Sequence, residues 1–129
     1  MQGLSVFLVE DETLIRMMMV EMLEELGHRV VAEAGSIQTA EPLARTSVFD
    51  LAVFDINVGG FNISPIAEIV AARGLPFVFV SGYGAAGRPV LFSDKPVLRK
   101  PFLIEHLADI IISAMGDKST GQSYGASRT

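Results

Sequence analysis

An open α/β fold, with a parallel sheet covered by helices on both faces, is what this sequence predicts. Three observations carry the prediction. Short, near-continuous apolar runs at residues 4–9, 51–54 and 76–80 read as strands buried on both faces. Amphipathic helical patterns lie between such runs. Strand and helix alternate five times, which implies right-handed crossovers between parallel strands. At 129 residues the chain is one domain by size, here residues 1–116, and 50% hydrophobic composition argues against global disorder.

The first strand, residues 4–9, runs into Glu10-Asp11-Glu12 and then a helix over 13–26. The core stripe expected on that helix is Ile15, Met18, Met19, Met22 and Leu26, with Leu14 and Met17 off it and Gly27 ending it. Residues 29–34 form a second strand, polar at its ends and so placed at an edge. A helix capped by Ser36 or Thr39 reaches about residue 47, and Pro42 inside it predicts a late start or a kink. The strand from Leu51 ends at Asp55, followed by a Gly-rich loop. Ser64-Pro65 opens a third helix, serine at the N-cap and proline at N1, which Gly74 ends. The fourth strand, residues 76–80, ends at Ser81-Gly82-Tyr83-Gly84. Residues 84–95 carry a poor helical signal, at most a single turn through Val90, Leu91 and Phe92 after Pro89. A short fifth strand at 96–99 ends in Lys100-Pro101, and a last helix covers 103–115. The Ser- and Gly-rich tail, residues 117–129, is expected to be disordered.

Composition excludes several functions. A net charge of -5, with 10 scattered lysines and arginines, leaves no basic stripe for nucleic acid. With no cysteines, and two histidines far apart, a disulfide framework and a zinc site are both unexpected. No run approaches the ~18 apolar residues of a membrane span, and the first strand is too short for a signal peptide. The expected location is cytoplasmic.

Five strands of this kind fit the flavodoxin-like (βα)5 order 2-1-3-4-5, with the fourth helix short or irregular. In that order the strand ends bring Glu10 and Asp11 beside Asp55, and add Ser81 and Lys100. Carboxylates ~4 Å apart repel by roughly 4 kcal/mol per pair at an effective dielectric of ~20, so the cluster wants a cation. Mg2+ prefers oxygen ligands and is held by one or two carboxylates. Lys100 can pair with an anion beside the metal, and Ser81 offers a hydroxyl. These are the parts for moving a phosphoryl group onto a carboxylate.

Glu10-Asp11, Asp55, Ser81 and Lys100-Pro101, in this order and each at a strand end, resemble the motifs of a response-regulator receiver domain, from Leu4 to Met115. The resemblance implies that Asp55 accepts a phosphoryl group from a sensor histidine kinase or histidine phosphotransfer protein. It implies Mg2+ on Asp11, Asp55 and the Asn57 backbone carbonyl, with Glu10 acting through water, and phosphoryl oxygens on Ser81 and Lys100. The Lys100-Pro101 bond is commonly cis in that family. Such a domain is a phosphoacceptor and not an enzyme in the ordinary sense. Two departures stand out. Val97 occupies the place of an aromatic rotamer switch, and Val58-Gly59-Gly60 replaces the usual Met-Pro. Residues 77–83 are similar to a subgroup reading Phe-x-Phe-Ala-Thr-Gly-Tyr, many of whose members stand alone.

Signal output is then expected through protein contact, with a downstream partner or a homodimer. On the last helix Leu103, Leu107, Ile110, Ile111 and Ala114 suffice to pack the sheet. Ile104, Ala108, Ile112 and Met115 form a second apolar stripe near Val90, Leu91 and Phe92, a candidate docking face. Tyr83 is the nearest aromatic to the site, in a glycine-rich loop suited to a switch. The alternatives are a phosphorylation-independent pseudo-receiver and a haloacid-dehalogenase-like phosphatase. The latter wants an aspartate where Asn57 stands, and a cap domain. Nothing in the loops favours a flavin site on this fold.

Overall fold

Alternation along the buried strands decides which helix packs where. The computed structural model describes residues 3–120, with side chains through residue 116. Its elements are β1 (Ser5–Val9), α1 (Thr13–Glu25), β2 (Arg29–Ala34), α2 (Ile37–Thr46), β3 (Leu51–Asp55), α3 (Ser64–Ala72), β4 (Phe77–Ser81), β5 (Val97–Arg99) and α4 (Ile104–Thr120). The five strands form one parallel sheet in the order β2-β1-β3-β4-β5, the expected flavodoxin-like arrangement.

Every second residue of β1, β3 and β4 faces one layer. Phe7, Val9, Ala52, Phe54, Phe77 and Phe79 meet Ala40 and Ala44 of α2 and Ile66, Ala67 and Val70 of α3. Their phenylalanines interlock, with Phe54 and Phe77 rings 5.5 Å apart and Phe7 meeting Phe54 edge-on at 6.0 Å. The alternate set, Val6, Leu8, Leu51, Val53, Val78 and Val80, packs against Met19 and Leu23 of α1 and Leu107, Ile110, Ile111 and Ala114 of α4. Strands buried on both faces must be apolar at every position, which is why their sequence runs are continuous.

Several elements differ from expectation. On α1 the core positions are Met19 and Leu23, with Ile15, Met22 and Leu26 beside them, while Met18 is half exposed. Three consecutive methionines carry no phase, and Leu23, four residues after Met19, sets it. Helix α2 starts promptly after Ser36, whose Oγ accepts the Thr39 N–H at 3.1 Å. Pro42 therefore lies in its second turn, not at a late start. Helix α3 starts at Ser64 itself. Its N-cap, Ile63, makes no side-chain cap; Asn62, just before it, accepts the Ser64 N–H on Oδ1 at 2.9 Å.

Leu103 lies outside α4 and is exposed; its carbonyl accepts the Leu107 N–H that opens the helix. Helix α4 passes through Gly116 to Thr120, one turn beyond Met115, because a single glycine weakens a helix without forbidding it. Of the tail expected over 117–129, residues 117–120 instead continue α4, and 121–129 lie outside the described residues. The single turn at Val90–Phe92 is a 3-10 helix, as its proline start suggests. Val90 and Leu91 are exposed, but Phe92 turns inward onto Phe77, ring centroids 5.2 Å apart. Buried His28 accepts the Leu4 N–H on Nδ1 at 3.1 Å, a structural contact at the start of β1.

Candidate functional site

Strand register assembles the site. Val9 pairs with Phe54, Asp55 with Val80, and Ser81 with Arg99, so Glu10, Asp55, Ser81 and Lys100 finish their strands side by side. Backbone bonds fix the ends: Glu10 N–H donates to the Ala34 carbonyl, Ile56 to Val80, and Lys100 to Ser81. Arg16 adds a side-chain anchor. Its Nη1 donates to the Glu10 carbonyl at 2.6 Å while Nε pairs with Glu33 at 3.3 Å. A Cβ on Gly35 would stand 2.7 Å from Nη1, so a side chain there would push this guanidinium off the Glu10 carbonyl.

One carboxylate oxygen each from Glu10, Asp11 and Asp55 can be chosen so that all three lie within 4.8 Å of one another. Lys100 Nζ bridges two of them, at 3.1 Å from Glu10 Oε1 and 3.3 Å from Asp55 Oδ2. Glu10 is wholly buried and Asp55 and Ser81 nearly so. Burial, with the Asp55 charge adding to it, pushes the Glu10 carboxyl up to about 7, against the pull of Lys100. Burial likewise raises Asp55, which Lys100 only partly offsets. Burial disfavours the Lys100 ammonium too, but its hydrogen bond to Glu10 and the charge of Asp55 outweigh that and hold it above its usual value.

Two loops frame the cluster. After Asp55 the chain makes a miniature antiparallel ribbon, Asn57–Val58 against Phe61–Asn62. Gly59 and Gly60 both have positive φ, 59° and 86°, as a type I′ turn demands. That turn lets the Gly59 N–H donate to Asp11 Oδ2 at 2.9 Å. On the other side, Ser81 Oγ accepts the Tyr83 N–H at 3.0 Å. Between them opens a cleft of about 660 Å3, polar at Asp11, Asp55, Ser81 and Lys100 and apolar at Ile15, Met18, Met22 and Phe102.

The structure thus brings together Glu10, Asp11, Asp55, Asn57, Ser81 and Lys100, and Tyr83 and Pro101 line the same cleft. The Lys100–Pro101 bond is cis. Val97 stands apart, packed into the phenylalanine layer beside Phe79. Ile104 is half-buried and Ile112 exposed, both on α4. Three features escaped the sequence reading. The Gly59-Gly60 pair, expected as loop, turns a hairpin, for which Gly-Gly is a signal. The Glu10–Lys100 ion pair had no separate signature. The apolar shelf of the cleft follows from the phase of α1, which the methionine run concealed.

Comparison with known proteins bears on the family and the fold. The response regulator receiver domain family matches residues 6–112. The transcriptional regulatory protein PdtaR of Mycobacterium tuberculosis is 38% identical over 110 residues, 82% of this chain and 54% of its own length. This chain therefore spans about half of that curated relative. The solution structure of SdrG from Sphingomonas melonis Fr1 is 34% identical with a TM-score of 0.76, covering 88% of this chain and 97% of that one. The response regulator PhyR from Brucella abortus shares the fold, with a TM-score of 0.79 at 24% identity, over 96% of this chain and 52% of that one. No helix among the described residues is long and apolar enough to cross a membrane. With the family matched along most of its length and the strand-end cluster in place, the chain belongs to the response regulator receiver domain family.

Proposed function

We propose that this chain is the phosphoacceptor of a two-component phosphorelay, taking a phosphoryl group on Asp55 from a phosphohistidine of a sensor kinase or phosphotransfer protein. The observation that supports it best is the Lys100 ammonium shared between Asp55 and Glu10 at the cleft that also holds Asp11 and Ser81. An Asp55 oxygen attacks phosphorus in line. The new O–P bond forms as the N–P bond to the donor imidazole breaks, and the nitrogen keeps the electron pair. Lys100 and the Ser81 hydroxyl then take phosphoryl oxygens, Ser81 giving up the Tyr83 N–H as it turns. The chain is consumed and regenerated as acceptor; it is not a turnover enzyme.

The all-oxygen donor set fits Mg2+, which would sit on Asp11, Asp55 and the Asn57 carbonyl, with Glu10 acting through water. Bound there, the ion supplies positive charge for the phosphoryl oxygens. Asp11→Asn is expected to weaken Mg2+ binding at least about tenfold in isothermal titration, since even outer-shell changes reach that size. Unchanged affinity removes Asp11 from the metal site. The reading as a whole is tested by intact mass after incubation with Mg2+ and acetyl phosphate. No uptake would turn it into a phosphorylation-independent interaction module.

Output would leave through the face of α4 that carries Ile112, toward a downstream protein or a second copy. Ile112 is 54% exposed, with half-buried Ile104 and Ala108 on the same stripe. Ile112→Glu is expected to leave phosphoryl uptake intact and weaken association in analytical ultracentrifugation and partner pull-down. Unchanged association in both assigns output to another surface.

A further inference from the structure

The ribbon after Asp55 and the loop after Ser81 are joined at one side chain. Asn62 Nδ2 donates to the Gly87 carbonyl at 2.7 Å, while its Oδ1 accepts the Ser64 N–H at 2.9 Å. Opposite ends of the amide meet a donor and an acceptor, which fixes its orientation. Gly87 also lies close to the residue that follows Asp55: its φ is 84°, and a Cβ built there would come within 3.4 Å of Ile56 Cγ2.

Each joined segment reaches the cluster independently. The ribbon donates Gly59 N–H to Asp11 and carries Asn57. The loop is held to Ser81 Oγ through the Tyr83 N–H. The loop's own backbone makes short turn bonds, Ala86 N–H to the Tyr83 carbonyl and Arg88 N–H to that of Ala85, and the Arg88 side chain ties its end to the Lys95 carbonyl at 2.8 Å. From Ser81 a compact turn therefore leads to Gly87 and through it to Asn62. No aromatic at position 97 is needed, since Val97 is committed to the core.

We infer that Asn62 is a positioning residue that couples the acidic-cluster ribbon, residues 57–62, to the loop after Ser81. Its functional meaning rests on the phosphoacceptor reading above, but the coupling itself does not. In that reading, Asn62 lets a phosphoryl group drawn to Ser81 be felt at Asn57 and Asp11, and makes occupancy of the acidic cluster felt in the loop. Coupling of this kind is reciprocal.

The test is a mutant cycle in backbone amide shifts, run on the full chain without metal or phosphodonor. Ser81→Ala removes the acceptor of the Tyr83 N–H and perturbs the loop from its far end. Asn62→Ser keeps a capping oxygen for α3 but is too short to reach Gly87. Asn62→Asp keeps both reach and cap but lacks the donor. In the native background, Ser81→Ala is expected to displace the amides of Val58, Gly59 and Phe61. In either Asn62 background those displacements should fall to the level seen on distant α4. Equal displacement with and without Asn62, or none in the native background, overturns the coupling. A role confined to capping α3 would leave Asn62→Ser and Asn62→Asp like the native chain. Intact mass of Asn62→Ser with Mg2+ and acetyl phosphate is read separately. One phosphoryl group is expected, and loss of uptake in the native chain as well would count against the phosphoacceptor reading alone.

Discussion

Incubated with Mg2+ and acetyl phosphate, the native chain is expected to gain the mass of one phosphoryl group, and Asp55→Asn none. Three carboxylates are candidates, and their surroundings separate them. Glu10 is wholly buried, and both its oxygens are engaged, one by Lys100 and one by the Glu12 N–H at 3.1 Å. Asp11 is half-buried and has Oδ2 committed to the Gly59 N–H. Asp55 retains 7% exposure into the cleft; its Oδ1 takes only the long Asn57 N–H contact at 3.4 Å, and Lys100, 3.3 Å from Oδ2, stands ready for the incoming anion. An amide at position 55 keeps the shape and removes the nucleophile, so the effect is loss of uptake and not a slower rate. A hydroxylamine-labile phosphoryl group on Asp55→Asn would move the acceptor to another residue. Uptake at two sites of the native chain would deny that only one carboxylate is reachable.

The strand-end residues of this site were legible because each is polar at the close of an apolar run. Asp55 after Leu51–Phe54 and Ser81 after residues 77–80 interrupt hydrophobic stretches that a buried strand would otherwise continue. Alternation of strand and helix then dictated parallel neighbours, and register followed from the shared end of each run. What the sequence hid were choices between near-equal alternatives. Met17, Met18 and Met19 are interchangeable in hydrophobicity, so which of them meets the core is decided by Leu23 and the sheet. Leu103 has the polarity of a core residue but precedes the first turn of α4, and position overrides polarity. Pro42 looked disruptive, yet a proline removes one N–H, and α2 keeps Ser36 as its cap and continues to Thr46. Asn62 was not singled out because its bond to Ser64, two residues on, is ordinary Asx-turn chemistry, while the Gly87 carbonyl lies 25 residues away and leaves no motif.

The same buried charges make stability respond to pH in an uncommon direction, and Glu10→Gln should expose it. Glu10 titrates at about 7 when folded against an ordinary value of 4.5. The folded chain thus binds more protons than the unfolded chain between those values, and stability contributed by this group falls as pH rises through that window. A shift of that size corresponds to about 3 kcal/mol, as an order of magnitude. Asp55, also raised, acts with the same sign. Lys100 stays charged across the window because its own value is held up, and His28, lowered by burial, works in the opposite direction. Comparing native chain and variant cancels all but the Glu10 contribution and its couplings. Glutamine imitates the protonated acid in shape and neutrality, so in EDTA the variant is expected to match the native chain near pH 5 and exceed it by about 3 kcal/mol at pH 8. Mg2+, which favours the ionised cluster, should narrow that gap by stabilising the native chain more than the variant. Urea unfolding at a series of pH values reads both effects. Parallel curves for the two proteins from pH 5 to pH 8 without metal would show that burial does not hold the Glu10 carboxyl up in the folded chain.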